Sequence, residues 1–246
     1  MRKTYSIYSL IKTTSNMKTR LLALIVLMLL PLGVWARDVE IGGINYSLDE
    51  DARTASVRWK TGGYSGHIVI PAAVNYQGAT YFVTSIGNEA FFRCKGLTSI
   101  AIPNSVTSIG ERAFRGCMGL TSIAIPNSVT SIGSEAFFYC MGLTSIAIPN
   151  SVTTIGDSAF AHCLGLTSIV IPNSVTTIGD YAFYGCTGLT DVYVLRSDPR
   201  GYNAFPKYPG NFPTSPCTLH VPAGSGVAYR SCSPWSGFKD IVEDGK

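Results

Sequence analysis

The sequence predicts an α/β solenoid: a curved rod of stacked coils, each with one short parallel strand and one short helical turn, closed by a β-hairpin cap at the N-terminal end and an irregular cap at the C-terminal end. Two observations predict it. Five cysteines, Cys94, Cys117, Cys140, Cys163 and Cys186, recur every 23 residues. The segments around them are copies of one another: residues 97–119 read LTSIAIPNSVTSIGERAFRGCMG, residues 120–142 read LTSIAIPNSVTSIGSEAFFYCMG, and residues 143–165 and 166–188 are close variants. A fixed period of roughly 20–50 residues marks a stack of identical supersecondary units. It also shifts the expectation of function from catalysis toward binding.

Within one copy, Leu97, Ile100 and Ile102 form a short strand ended by Pro103. Strand side chains alternate, so Ile100 and Ile102 share one face and Ser99 and Ala101 take the other. Proline cannot donate to a ladder, so the strand stops there. Asn104 and Ser105 supply a turn, Val106 and Ile109 a second short apolar segment, and Gly110 ends it. The next column holds Asn88, Glu111, Ser134, Asp157 and Asp180 in successive copies. Most of these side chains accept from free helix N–H groups, which predicts the N-cap of a single helical turn. Ala113, Phe114 and Cys117 then set Phe and Cys three residues apart, on one face of that turn. One copy cannot bury its own apolar face. Stacking joins Leu, Ile, Val, Phe and Cys into ladders, with parallel strands about 4.8 Å apart and about seven coils in a rod of ~30 Å.

The motif L-x-x-I-x-I-P-x-S-V-x-x-I-G-x-x-A-F-x-x-C resembles the cysteine-containing leucine-rich repeat of BspA-like bacterial surface proteins, over about residues 66–196. The resemblance implies a leucine-rich-repeat solenoid, export, and a role in adhesion or ligand binding. It names no ligand.

The ends depart from the period, as solenoid ends do. Residues 1–36 read as a signal peptide whose true start is Met17: Lys18 and Arg20 are basic, residues 21–32 are apolar, and Val34 and Ala36 are small at the cleavage positions. The apolar run is short for a membrane span, so no stable span is expected after cleavage; an uncleaved anchor is the alternative. Cleavage removes Arg2, Lys3, Lys12, Lys18 and Arg20 but no acidic residue, which takes the formal charge from +4 to −1. With no basic patch left, nucleic acid is a poor partner.

Residues 37–65 are expected to cap the first coil as a hairpin, with strands inside 39–59 flanking a polar turn at 49–53. Residues 66–196 are the repeats, restarted by residues 67–71 and interrupted between Val74 and Val83 by a small hairpin that carries Tyr76, Tyr81 and Phe82. Residues 197–246 form a C-terminal loop and capping segment. Residues 197–217 are rich in Pro, Gly and aromatics, residues 218–222 read as a last repeat-like strand, and Trp235, Phe238 and Ile241 fold over the final coil.

Chemistry is sparse. A zinc site needs ligands converging from different segments, whereas a column of cysteines on one side of a rod reads as a buried thiol ladder. Cys217 and Cys232 break the period. In an exported chain they are either a disulfide closing the C-terminal cap or two buried thiols. His67, His162 and His220 lie in distant coils, and no G-x-S-x-G, H-E-x-x-H or phosphate loop occurs. No catalytic residue, metal site or cofactor is assigned.

Aligning the copies points to an exposed strand face. One column runs Ser99, Ser122, Ser145, Ser168 and Asp191, with His67 and Thr218 at its ends; the other runs Ala101, Ala124, Ala147, Val170 and Tyr193, with Val69 and His220 at its ends. Small side chains on strands let an extended partner approach closely. A second candidate edge carries Phe138, Tyr139 and Tyr184, which ordinary packing between coils also explains. The expected function is that of an exported protein, at the cell surface, in the periplasm or outside the cell, that binds an extracellular protein or glycan. A structural spacer without a ligand is the alternative, and an enzyme with a site in the caps a remote one.

Overall fold

The computed structural model describes residues 37–200 and 217–244. The expected signal peptide and most of the expected loop at 197–217 lie outside the described residues.

The N-terminal cap is one strand richer than the hairpin read from the sequence. Strands β1 (Arg37–Ile41), β2 (Ile44–Asp49) and β3 (Thr54–Arg58) form an antiparallel meander. The stretch expected as one strand is folded at Gly42 and Gly43, whose φ values of +58° and +80° suit a tight hairpin turn. The Asp49 carboxylate accepts from the N–H groups of Asp51 and Ala52, at 3.0 and 2.8 Å, and shapes the β2–β3 turn. After β4 (Gly66–Val69), strands β5 (Ala73–Tyr76) and β6 (Ala79–Ile86) form the second hairpin. Because β6 also pairs in parallel with β3, the cap joins the sheet of the repeats.

Two strand series run through the coils. The longer strands are β7 (Leu97–Ala101), β9 (Ser122–Ala124), β11 (Ser145–Ala147), β13 (Ser168–Ile171) and β15 (Asp191–Val194), and they alternate in sequence with the two-residue strands β8 (Ser108–Ile109), β10 (Ser131–Ile132), β12 (Thr154–Ile155) and β14 (Thr177–Ile178). The short series continues β6 as one parallel ladder. The long series forms three ladders: β4–β7, β9–β11, and β13–β15 extended by β16 (Thr218–His220) and β17 (Asp240–Val242). Both series turn Ile or Val inward: Ile100, Ile123, Ile146, Ile169 and Val192 from one, Ile109, Ile132, Ile155 and Ile178 from the other, all buried.

The helical turn expected in each copy is absent. Glu89, Arg112, Glu135, Ser158 and Tyr181 have φ between 52° and 60°, and four residues later Arg93, Gly116, Tyr139, His162 and Gly185 are left-handed again. A chain that returns to the left-handed region every fourth residue cannot be an α-helix. Its donors alternate instead. The N–H groups of Arg112, Phe114 and Gly116 reach the carbonyls of Ser134, Ala136 and Phe138 in the next coil at 2.7–2.9 Å, while Ala113, Arg115 and Cys117 donate three residues back within their own coil. The expected N-cap residues likewise act between coils: the Asn88 and Asp157 side-chain oxygens accept from the N–H of Glu111 and Asp180, at 2.9 and 2.8 Å. The coils approach closely here. A Cβ on Gly133 would sit 2.6 Å from the carbonyl carbon of Gly110, which accounts for the glycine that follows the Ile of each two-residue strand.

Phe and Cys do share the core, as ladders along the stack. Rings Phe91, Phe114, Phe137, Phe160 and Phe183 stack at 5.0–5.3 Å with interplanar angles of 2–7°. Each periodic thiol from Cys117 to Cys186 donates to a Phe carbonyl of the preceding coil: Cys117 to Phe91 at 3.0 Å, Cys140 to Phe114 at 3.1 Å, Cys163 to Phe137 at 3.2 Å and Cys186 to Phe160 at 3.0 Å. Burial pushes the Cys140 thiol up to about 12.

The C-terminal cap is more ordered than the sequence suggests. It holds a helix, α1 (Gly226–Arg230), and a 3-10 turn at Trp235–Gly237. Trp235, Phe238 and Ile241 are buried against the last coil, and the Tyr229 hydroxyl donates to the Arg196 carbonyl at 2.6 Å.

Candidate binding surface

The strand register builds the exposed face column by column. Ser122 pairs with Ser145 and Ala124 with Ala147; Ser168 pairs with Asp191 and Val170 with Tyr193; His67 pairs with Ser99 and Val69 with Ala101. Ala101, Ser122, Ala124, Ser145, Ala147, Ser168 and Val170 are exposed, while Ser99, Asp191 and Tyr193 are half-buried. The adjoining threonines hold coils together: Thr144 and Thr190 hydroxyls donate to the carbonyls of Thr121 and Thr167, at 3.2 and 3.1 Å. The central face is therefore uncharged and lined by side chains of one to three heavy atoms.

Its two ends differ. At the N-terminal end His67 Nδ1 lies 2.6 Å from Ser99 Oγ. At the C-terminal end His220 sits between two carboxylates, with Nε2 at 2.9 Å from Asp191 and Nδ1 at 2.6 Å from Asp244, and its ring stacks on Tyr193 at 4.2 Å. Burial works against protonation of His220, but the hydrogen bonds to Asp191 and Asp244 and their charges outweigh it and raise its pKa. Bonds from the Thr190 hydroxyl and then from His220 hold the Asp191 carboxyl below its usual range. Asp191 and Tyr193, grouped with the face by sequence, thus also contact His220 at the C-terminal end.

The second edge is gathered into one aromatic cluster on the side built from the left-handed turns. Phe138 meets Tyr139 at 4.6 Å, Tyr139 stacks on His162 at 4.7 Å, and His162 meets Tyr184 at 5.4 Å. Tyr139 and Tyr184 are exposed. Beside them, Arg112 bridges Glu89, Glu111 and Glu135 at 3.1–3.5 Å, and Arg115 pairs with Glu135. Cys217 is buried and Cys232 half-buried, both as thiols. Sequence reasoning overlooked the column that follows each periodic cysteine, Lys95, Met118, Met141, Leu164 and Thr187, although the same internal alignment contains it. Met118 and Leu164 are each 41% exposed. Among the described residues no helix is long and apolar enough to cross a membrane.

Comparison with known proteins places this geometry among repeat proteins. A family model described as a BspA type leucine rich repeat region matches residues 80–205 in six copies, against the seven or so coils expected. A leucine-rich repeat protein of T. pallidum is 29% identical over 67% of this chain and 78% of its own, with a TM-score of 0.57. One from Bacteroides ovatus is 25% identical over 85% of this chain and 72% of its own, also at 0.57. The pneumococcal vaccine antigen PcpA, 20% identical over 71% of this chain and 53% of its own at a TM-score of 0.54, shares the fold. No curated protein matches the chain.

Proposed function

Since the chain belongs to the BspA-type leucine-rich-repeat family, we propose that it is an exported interaction protein that binds an extracellular protein or glycan at the cell surface through the exposed face of its long strands. The observation carrying this reading is the register that sets Ser122 beside Ser145 and Ala124 beside Ala147, all exposed. An uncharged strip of small side chains lets an extended partner lie along the coils, and among the described residues it stays exposed at β9 and β11. The Lys- and Arg-bearing run that opens the sequence, followed by an apolar stretch and small residues at 34 and 36, supports export. Likeness to a family of surface proteins supports display outside the cell.

The test is saturation binding of the protein to a panel of immobilised matrix proteins and mucin glycans, with Ala124→Glu as the control. Saturable binding that the variant loses supports the strand face, and equal binding by the variant rejects it. A spacer role is the second reading, favoured by the near identity of residues 97–119 and 120–142. Removing residues 120–142 separates the two, because a spacer keeps its activity one coil shorter while a ligand face loses affinity.

A further inference from the structure

The column after the cysteines borders a groove of about 420 Å³, lined by Arg93, Lys95, Arg115, Met118, Tyr139 and Met141 over a floor at Gly116. Gly116 supplies no side chain, so the groove opens where its neighbours carry Arg93 and Tyr139 in the same column. Its charge is lopsided. Arg115 is neutralised by Glu135 and lies 4.6 Å over the Phe138 ring. Arg93 and Lys95 are exposed, and among the described residues neither has a carboxylate in ion-pair distance; Arg93 is braced by the Phe92 ring at 5.1 Å. Among the described residues no carboxylate lines the groove. Two cations with no carboxylate partner among the described residues therefore share a groove with the apolar side chains of Met118 and Met141, in a chain whose formal charge beyond residue 36 is −1.

We propose that this groove is a second docking site, distinct from the strand face, and that its occupant is a short acidic segment of an extracellular protein with an apolar side chain beside a carboxylate. The carboxylate meets Arg93 and Lys95, which stand at the rim, where opposite charge raises the rate of encounter. The apolar side chain enters between the Met118 and Met141 thioethers, which are flexible and polarisable and adapt to varied apolar shapes. A sugar fits less well: its hydroxyls would lose water against methionine, and the Tyr139 ring is already stacked on His162. The span suits a peptide. Phe rings of the three coils concerned are 5.0 and 5.2 Å apart, so a strand of about three residues, at ~3.3 Å each, crosses from Lys95 to Met141.

The probe is a fluorescein-labelled hexapeptide of alternating glutamate and leucine, followed by fluorescence anisotropy. Its glutamine counterpart and a sialylated trisaccharide serve as competitors. The expected result is saturable binding, weakened about tenfold by Lys95→Glu and by raising salt to about 0.5 M, as a rim charge dictates. Met141→Ser weakens it as well, and Ala124→Glu leaves it unchanged, which separates this site from the strand face. Unchanged melting temperatures show that the variants fold. Absent saturation with the acidic peptide, equal binding of the glutamine peptide, no effect of Lys95→Glu, or stronger binding of the trisaccharide each overturns the proposal.

Discussion

Cys140 Sγ lies 3.1 Å from the carbonyl oxygen of Phe114 and donates its thiol proton across to the preceding coil. The same oxygen accepts the N–H of Cys117 at 3.1 Å, so one buried carbonyl takes a donor from its own coil and another from the next. This bond gives cysteine a role that alanine or valine cannot fill. The side chain is small enough for the stacked core and carries a donor that leaves no charge behind.

Truncating that side chain should be costly at a single coil. Cys140→Ala deletes a buried sulfur and leaves the Phe114 carbonyl with one donor, an expected loss of about 1–3 kcal/mol. Urea unfolding of the two proteins measures it; a loss below a few tenths would mean that the thiol bond contributes nothing.

The left-handed turns make an opposite-signed prediction for glycine. In a helix interior, Ser158→Gly would cost about 0.5 kcal/mol. Ser158 has φ of 52°, so glycine relieves its strain, and the variant is expected to be more stable by about 0.5–1 kcal/mol. The same unfolding measurement decides the sign.

These two residues also show how far the sequence reaches. The 23-residue period and strand alternation were enough to align Ser122 with Ser145 and to turn Ile123 and Ile146 inward, because period and alternation are properties of spacing alone. The A-F-x-x-C segment misled because a spacing of three fits a helical face and also this run of turns. A signal was present: Gly116 and Gly185 occupy the column of Arg93, Tyr139 and His162, as a left-handed position allows. The Asn88 column misled for a related reason, since a side-chain oxygen that caps a helix equally accepts from the next coil. The C-terminal closure by His220, Asp244 and Asp191 rests on separations of 24 and 29 residues, outside the repeat, which no internal alignment reveals.

That closure predicts a pH window. The raised pKa of His220 contributes stability that is complete below its unfolded value, about 6.5, and is lost as pH rises through the folded value. The lowered pKa of Asp191 contributes stability present above about 3.9 and lost as pH falls through its folded value. The cap should be firmest between about pH 4 and 6.5. Urea midpoints across pH should fall on the alkaline side of that window, and His220→Gln should flatten that limb.

The strand face is tested most directly by a thiol placed on it. The ladder cysteines are buried, so in a Cys232→Ser background the exposed Ala147→Cys thiol is the site a maleimide reaches first. If a partner lies along the coils, saturating the protein with the matrix protein or glycan it binds should slow labelling there by about tenfold or more, since interface cores exclude solvent. Labelling at the same rate with and without the bound partner would contradict the assignment of this face.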